Sequence, residues 1–226
     1  MSTATKSSEV TFFTAIANRD VEAVKRLIAR RCNVNEVSQD PALYHRTPLH
    51  LCVWDNFVEA AKLLLDAGAD VNVLDDLHDT PYLLAGAEGR QEIMEHIYKN
   101  AERTLQYGGA TSSRRKTSVP DNSIVNRYGG SALIPACERG HVEMVRLLLS
   151  KGVNVNHYNH YKWTGLLEAI ELGGDDREHV EIVKLLIENG VDVNQVDGNG
   201  KTPLYLARQR KEKRICALLE AAGGHE

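Results

Sequence analysis

Two short strings carry side chains of reactive type at suggestive spacing. Gly198-Asn-Gly-Lys-Thr202 looks like the end of a phosphate-binding loop. A complete loop of that kind needs glycine at position 195, so that backbone N–H groups can wrap the phosphates, and Gln195 stands there. His157-Tyr-Asn-His160 offers two imidazoles, with His141 and His179 elsewhere in the chain. A zinc site needs three or four converging ligands, which scattered loop histidines do not supply. Cys32, Cys52, Cys137 and Cys216 are far apart and lack the Cys-x-x-Cys spacing of a metal or redox site. No His-Glu-x-x-His, Gly-x-Ser-x-Gly or Gly-x-Gly-x-x-Gly string occurs. No catalytic, cofactor-binding or metal-binding residue is therefore assigned, and the chain is not expected to be an enzyme. One modification site stands out: Arg114-Arg115-Lys116 precedes Thr117 and Ser118, in the pattern of a basophilic kinase site.

These strings sit in a repeated frame. Thr47-Pro-Leu-His-Leu-Cys52 returns as Thr80-Pro-Tyr-Leu-Leu-Ala85, Ser131-Ala-Leu-Ile-Pro-Ala136 and Thr202-Pro-Leu-Tyr-Leu-Ala207, with a looser copy at Thr164-Gly-Leu-Leu-Glu-Ala169. Thr47 lies 33 residues before Thr80, and Ser131 lies 33 before Thr164. A second string follows in phase: Lys62-Leu-Leu-Leu-Asp-Ala-Gly-Ala-Asp-Val-Asn72 matches the stretches ending at Val155-Asn156 and Val193-Asn194, and a worn copy ends at Val34-Asn35. Threonine is a good N-cap, and proline costs nothing at the first helical position. Gly89 and Gly140 stop the first helix, and Asn56 can take the same left-handed cap. Val58, Ala61, Leu64 and Leu65 form the apolar stripe of a second helix. One such unit cannot bury its apolar face alone, so neighbours must stack.

A period of 33 with Thr-Pro-Leu-His resembles the ankyrin-repeat family. The resemblance covers residues from about 9 to 224 and implies an all-α solenoid of about six helix-turn-helix units with β-turn fingers. The units fall near 9–36, 42–74, 75–103, 126–158, 159–196 and 197–224, after a disordered tail at 1–8. Asn126 to His141 is similar to a variant found in small stand-alone ankyrin proteins of microbes. His50 takes the family's structural histidine position.

Departures from the period mark insertions. The interval from Thr80 to Ser131 is 51 residues, and the excess is placed at 101–125, where the expected glycine and Val-Asn are not evident. This stretch is polar and rich in Gly and Ser, so a mobile loop is expected there. The interval from Thr164 to Thr202 is 38, with its excess at Gly173–His179 between two helices.

Composition bounds the function. The formal charge of −4 gives no basic excess to neutralise phosphates, so nucleic acid is not expected as a partner. No apolar run is long enough to span a membrane, and no signal-peptide core occurs. A monomer in the cytoplasm, needing no cofactor, is the expectation.

The resemblance implies that a protein partner docks on the concave face, built from turn tips and first helices. Tyr44, Arg46, Trp54, Leu77, Arg127, Tyr128, His160, Tyr161, Trp163 and Leu172 are the candidate contacts on that frame. Aromatic and arginine side chains anchor interfaces by burying much area with few lost rotamers. The function expected is an adaptor or scaffold. An inhibitor or immunity-type protein that occludes a partner enzyme would use the same surface. An enzyme subunit would need a deep polar pocket with converging titratable groups.

Overall fold

The computed structural model describes residues 10–107 and 118–226. Among them are twelve α-helices in six consecutive pairs: α1 (Phe12–Ala17) and α2 (Val21–Ala29), α3 (Pro48–Trp54) and α4 (Val58–Asp66), α5 (Pro81–Ala87) and α6 (Gln91–Tyr107), α7 (Leu133–Glu138) and α8 (Val142–Ser150), α9 (Gly165–Glu168) and α10 (Arg177–Glu188), α11 (Pro203–Gln209) and α12 (Lys213–Ala221). No strand forms among the described residues; one antiparallel bridge joins Tyr158 to Thr164.

The motif threonines set the helix starts. Thr47, Thr80, Thr164 and Thr202 each accept a hydrogen bond from the backbone N–H three residues on. This satisfies a donor that the first helical turn leaves unpaired. In the first pair the cap is Thr11, one residue past the sequence-based start at Val10. Residues with positive φ make the turn between the helices of a pair. Glycine takes that place at 89 and 140, and Arg19, Asn56 and Lys211 adopt it elsewhere at a small steric cost.

One continuous core runs along the stack. Leu49, Leu64, Ile93, Leu133, Leu148, Leu166, Ile182 and Leu219 are all buried in it, each contributing roughly 1.5–3 kcal/mol. First helices approach closely where side chains are small. A Cβ on Gly165 would sit 2.9 Å from Cys137 Sγ, and one on Gly86 would sit 2.7 Å from Ala132 Cβ. His50 links units two and three: Nδ1 is 2.9 Å from the Thr47 hydroxyl and Nε2 is 3.0 Å from the Asp79 carbonyl oxygen. Burial pushes its pKa down to about 4, so it is neutral in the fold near pH 7.

The asparagines of the Val-Asn strings rivet each unit to the next. Asn35 Oδ1 accepts from the Asp70 N–H at 2.7 Å while its Nδ2 donates to the Gly68 carbonyl at 3.5 Å. Asn156 repeats this with Asp192 at 2.7 Å and Gly190 at 3.4 Å. Asn72 does the same with the Asp121 N–H and the Val119 carbonyl, both at 2.9 Å.

That third rivet corrects the expectation for 101–125. Val119–Ser123 occupies the place that Gly68–Asn72 holds in unit two, so the frame resumes there. At the other end, helix α6 runs on to Tyr107, because Ile97, Ala101 and Thr104 continue its buried stripe. Residues 101–107 are thus helix rather than loop. The tail at 1–8 and residues 108–117 lie outside the described residues.

Two further irregular stretches are also structured. In unit two a 3₁₀ turn at Pro41–Leu43 is followed by Tyr44 and His45, both in the left-handed region. In unit five a π-helical turn at Ala169–Gly173 follows α9 and absorbs extra residues. Such turns lengthen a helix locally and often mark functional sites.

Candidate functional site

The fingers between pairs are held by a side-chain oxygen at a fixed place. Asp75 Oδ1 accepts from the N–H groups of Leu77 and Asp79, both at 2.9 Å. Asn126 holds Tyr128 and Gly130, Asn159 holds Tyr161 and Trp163, and Asp197 holds Asn199 and Lys201 in the same way. This self-capped turn is the local preference of Asn and Asp. It fixes the finger, so the tip side chains project from a stiff frame. Adjacent fingers are joined: the Asp76 N–H donates to the Tyr44 carbonyl, His160 to Tyr128, and Gly198 to Tyr161, at 2.8–3.1 Å.

The candidate contacts gather in two clusters. The first lies at unit two. Tyr44 and Trp54 are exposed, and the Arg46 guanidinium stacks over both rings, 5.8 Å and 4.7 Å from their centroids. Arg46 itself corrects the sequence reading. It is 6% exposed, and its Nε donates to Asp75 Oδ2 at 2.9 Å. Asp75 already spends its other oxygen on the finger, so the buried arginine completes that turn and supports the two rings from behind. It is not presented to a partner. Leu77 is half-buried on the neighbouring finger.

The second cluster surrounds a cleft of about 520 Å³ between units four and five. Tyr128, Tyr161 and Leu172 stand at it, 48%, 62% and 55% exposed, and Trp163 is half-buried. The Tyr161 and Trp163 rings lie 6.5 Å apart and tilted. The Arg127 guanidinium stacks 4.8 Å from the Tyr128 centroid. His160 is exposed and packs over Gly129, where a Cβ would strike its ring. The π-helical turn carries Leu172 to the cleft wall.

Ile134, Pro135, Asn159 and Glu168 also line this cleft and were not among the sequence candidates; Glu138, at the end of the first helix of unit four, lines it too. Glu168 has the sharpest chemistry. Its position in the motif holds Leu51, Leu84, Pro135 and Leu206 in the other copies. A glutamate in that apolar column is the signal that was available in the sequence. It is 6% exposed, and Oε1 accepts from Asn159 Nδ2 at 2.8 Å. Burial first, and then the nearby Glu138 charge, raise its pKa to about 7 against the Asn159 hydrogen bond.

A further row was not foreseen. Val37, Leu74, Tyr158 and Val196 each precede the side chain that opens a finger, and all four are exposed. Of the two expected phosphorylation sites, Thr117 lies outside the described residues. Ser118 is 4% exposed, so a kinase cannot reach it in this conformation. Cys52 and Cys137 are buried, and burial pushes both thiols well above their ordinary pKa. Among the described residues no cluster of His, Cys, Asp and Glu could hold a metal ion. No helix among them is long and apolar enough to cross a membrane.

Paired helices, capped fingers and an open face of variable side chains define a helical repeat scaffold. The chain belongs to the ankyrin-repeat family: the family model described as ankyrin repeats (3 copies) matches residues 12–107 and 115–197. It is 32% identical over 219 residues to the putative ankyrin repeat protein YahD of Escherichia coli (strain K12), covering 96% of this chain and 98% of that one. It is also 31% identical over 232 residues to the human 2-5A-dependent ribonuclease, but spans only 31% of that protein. Among solved structures, an ankyrin repeat domain from Acinetobacter baumannii AYE superposes with a TM-score of 0.80 at 40% identity, covering 95% of this chain and 98% of that one. Ankyrin repeats are generally protein–protein interaction modules.

Proposed function

We propose that this chain holds a protein partner on its concave face and acts by occupancy, as an adaptor or scaffold without catalysis of its own. The observation that carries the reading is the convergence of Tyr128, Tyr161, Trp163 and Leu172 on one cleft, backed by fingers whose turns are already satisfied internally. A finger needs its Asn or Asp to fold; it does not need an exposed tyrosine at its tip. Preformed tips also lower the ordering cost of binding. Tyr44 and Trp54 extend the surface to unit two. The proposal places the chain in the cytoplasm, as a monomer.

Affinity capture with the wild type and with a Tyr128→Ala, Tyr161→Ala, Trp163→Ala variant tests it, followed by mass spectrometry and by titration of the protein found. A partner whose affinity falls at least tenfold in the variant, with the helical signal and unfolding midpoint of the fold retained, supports the reading. A partner bound equally by both proteins refutes it.

A further inference from the structure

The cleft between units four and five combines two features that an apolar docking groove does not need. The first is acidic. Glu168 is buried at its inner wall, and Glu138 stands close enough to oppose ionisation there. Neither carboxylate has an ion-pair partner among the described residues, and no cation appears among the groups that act on Glu168. This contrasts with unit two, where the buried acid Asp75 is matched by Arg46 at 2.9 Å. The second feature is aromatic. Tyr128, Tyr161 and Trp163 stand around the same space, and the nearby Arg127 shows that a guanidinium stacks on Tyr128 at 4.8 Å.

Retention of Glu168 is costly for the fold alone. Three of the four other copies place leucine in that column, and the fourth places proline. A buried carboxylate without a cation is an uncompensated charge, and an arriving cation relieves it. Asn159 is matched to this role. Its Oδ1 closes the finger while its Nδ2 steadies Glu168 Oε1, which an aspartate at that place could not do.

We propose that this cleft receives an arginine side chain of the partner, its guanidinium paired with Glu168 and Glu138 and stacked against the rings of Tyr128, Tyr161 and Trp163. Arginine fits better than lysine because it is planar, offers a fork of donors to carboxylates and stacks on aromatic faces. The inference rests on the proposed partner-binding face and names the chemistry it selects.

Three capped pentapeptides, glycine throughout except for a central arginine, lysine or citrulline, are the probes. Citrulline keeps the shape of arginine and removes its charge. Binding is followed at pH 8 through the Trp163 indole and backbone amide resonances of the full chain. The expected result is saturable binding of the arginine peptide, with shifts confined to units four and five, and at least tenfold weaker binding of the citrulline and lysine peptides. Glu168→Leu, which restores the residue of the other copies, is expected to retain the fold and to weaken arginine binding at least tenfold. Glu168→Gln tests the same point with less change of shape. Equal binding of citrulline, equal binding of lysine, or undiminished binding by both variants overturns the proposal. Failure here leaves the binding-face reading standing if the aromatic variant still loses its captured partner. Retention of that partner by the aromatic variant defeats the broader reading separately.

Discussion

Replacing Glu168 by glutamine removes a charge from the cleft wall while keeping a side chain that can still accept from Asn159. The consequence for stability follows from the carboxyl's two environments. In the unfolded chain Glu168 has the ordinary value of 4.5, and in the fold it is raised to about 7. Between those limits the native protein holds a proton that the unfolded chain releases. Stability from this group is therefore full below pH 4.5, falls as pH rises towards 7, and is level above that. The gap corresponds to about 3 kcal/mol. Its carboxyl lines an open cleft, so solvent screening reduces this to about 1–2 kcal/mol. The assay is urea unfolding followed by far-ultraviolet circular dichroism, for wild type and variant, from pH 4.5 to pH 8. Other titrating groups cancel in the difference between the two proteins. Relative to the variant, the wild type is expected to lose about 1–2 kcal/mol across this range. A difference independent of pH would show that Glu168 ionises as freely in the fold as in the open chain, and would refute the picture of an unpaired buried acid.

Three further perturbations have defined outcomes. His50 is held neutral in the fold, with its pKa pushed down to about 4 from 6.5; stability is present above 6.5 and falls as pH drops towards 4. His50→Gln is expected to flatten that acid limb in the same unfolding assay, and an unchanged limb would assign the loss to other groups. Arg46→Ala leaves Asp75 buried without its cation and is expected to destabilise the fold by about 3 kcal/mol; a change below about 1 kcal/mol would return Arg46 to the contact surface. Gly165→Ala drives a Cβ to 2.9 Å from Cys137 Sγ and is expected to lower stability by about 1–3 kcal/mol. Adding Cys137→Ala should recover most of that loss, and additive losses would place the strain elsewhere.

The fold was legible in the sequence because each unit states its own boundaries. Thr47 and Thr80 cap, Pro48 and Pro81 start, and Gly89 stops a helix, all through local backbone chemistry that needs no tertiary partner. The insertion was less legible. Val119–Ser123 lacks glycine and the Val-Asn pair, and its role shows only when Asn72 is seen reaching across to it. A rivet between units is a tertiary fact, and its acceptor is a backbone carbonyl that any residue supplies. The extension of α6 to Tyr107 was hidden for a related reason: Asn100, Ala101 and Thr104 are buried there although none is strongly apolar. At the site, the ring positions of Tyr44, Tyr128, Tyr161 and Trp163 followed from the frame. Whether an arginine faces out or in did not: Arg46, directly before its motif threonine, meets a buried aspartate, whereas Arg127, four residues before its motif serine, stacks on Tyr128. Glu168 was readable as the one acid in an apolar column, but its significance depended on the cleft that units four and five form together.

Site-directed photo-crosslinking in the producing cell tests the central claim most directly. A photoreactive phenylalanine analogue is placed at Tyr161, on the finger tip, and in a second protein at Glu181, away from the fingers, where it pairs with Arg146 between the second helices α8 and α10. The account predicts a discrete crosslinked protein from position 161 and none from 181. Crosslinking of the same protein from 181, with position 161 silent, would contradict it.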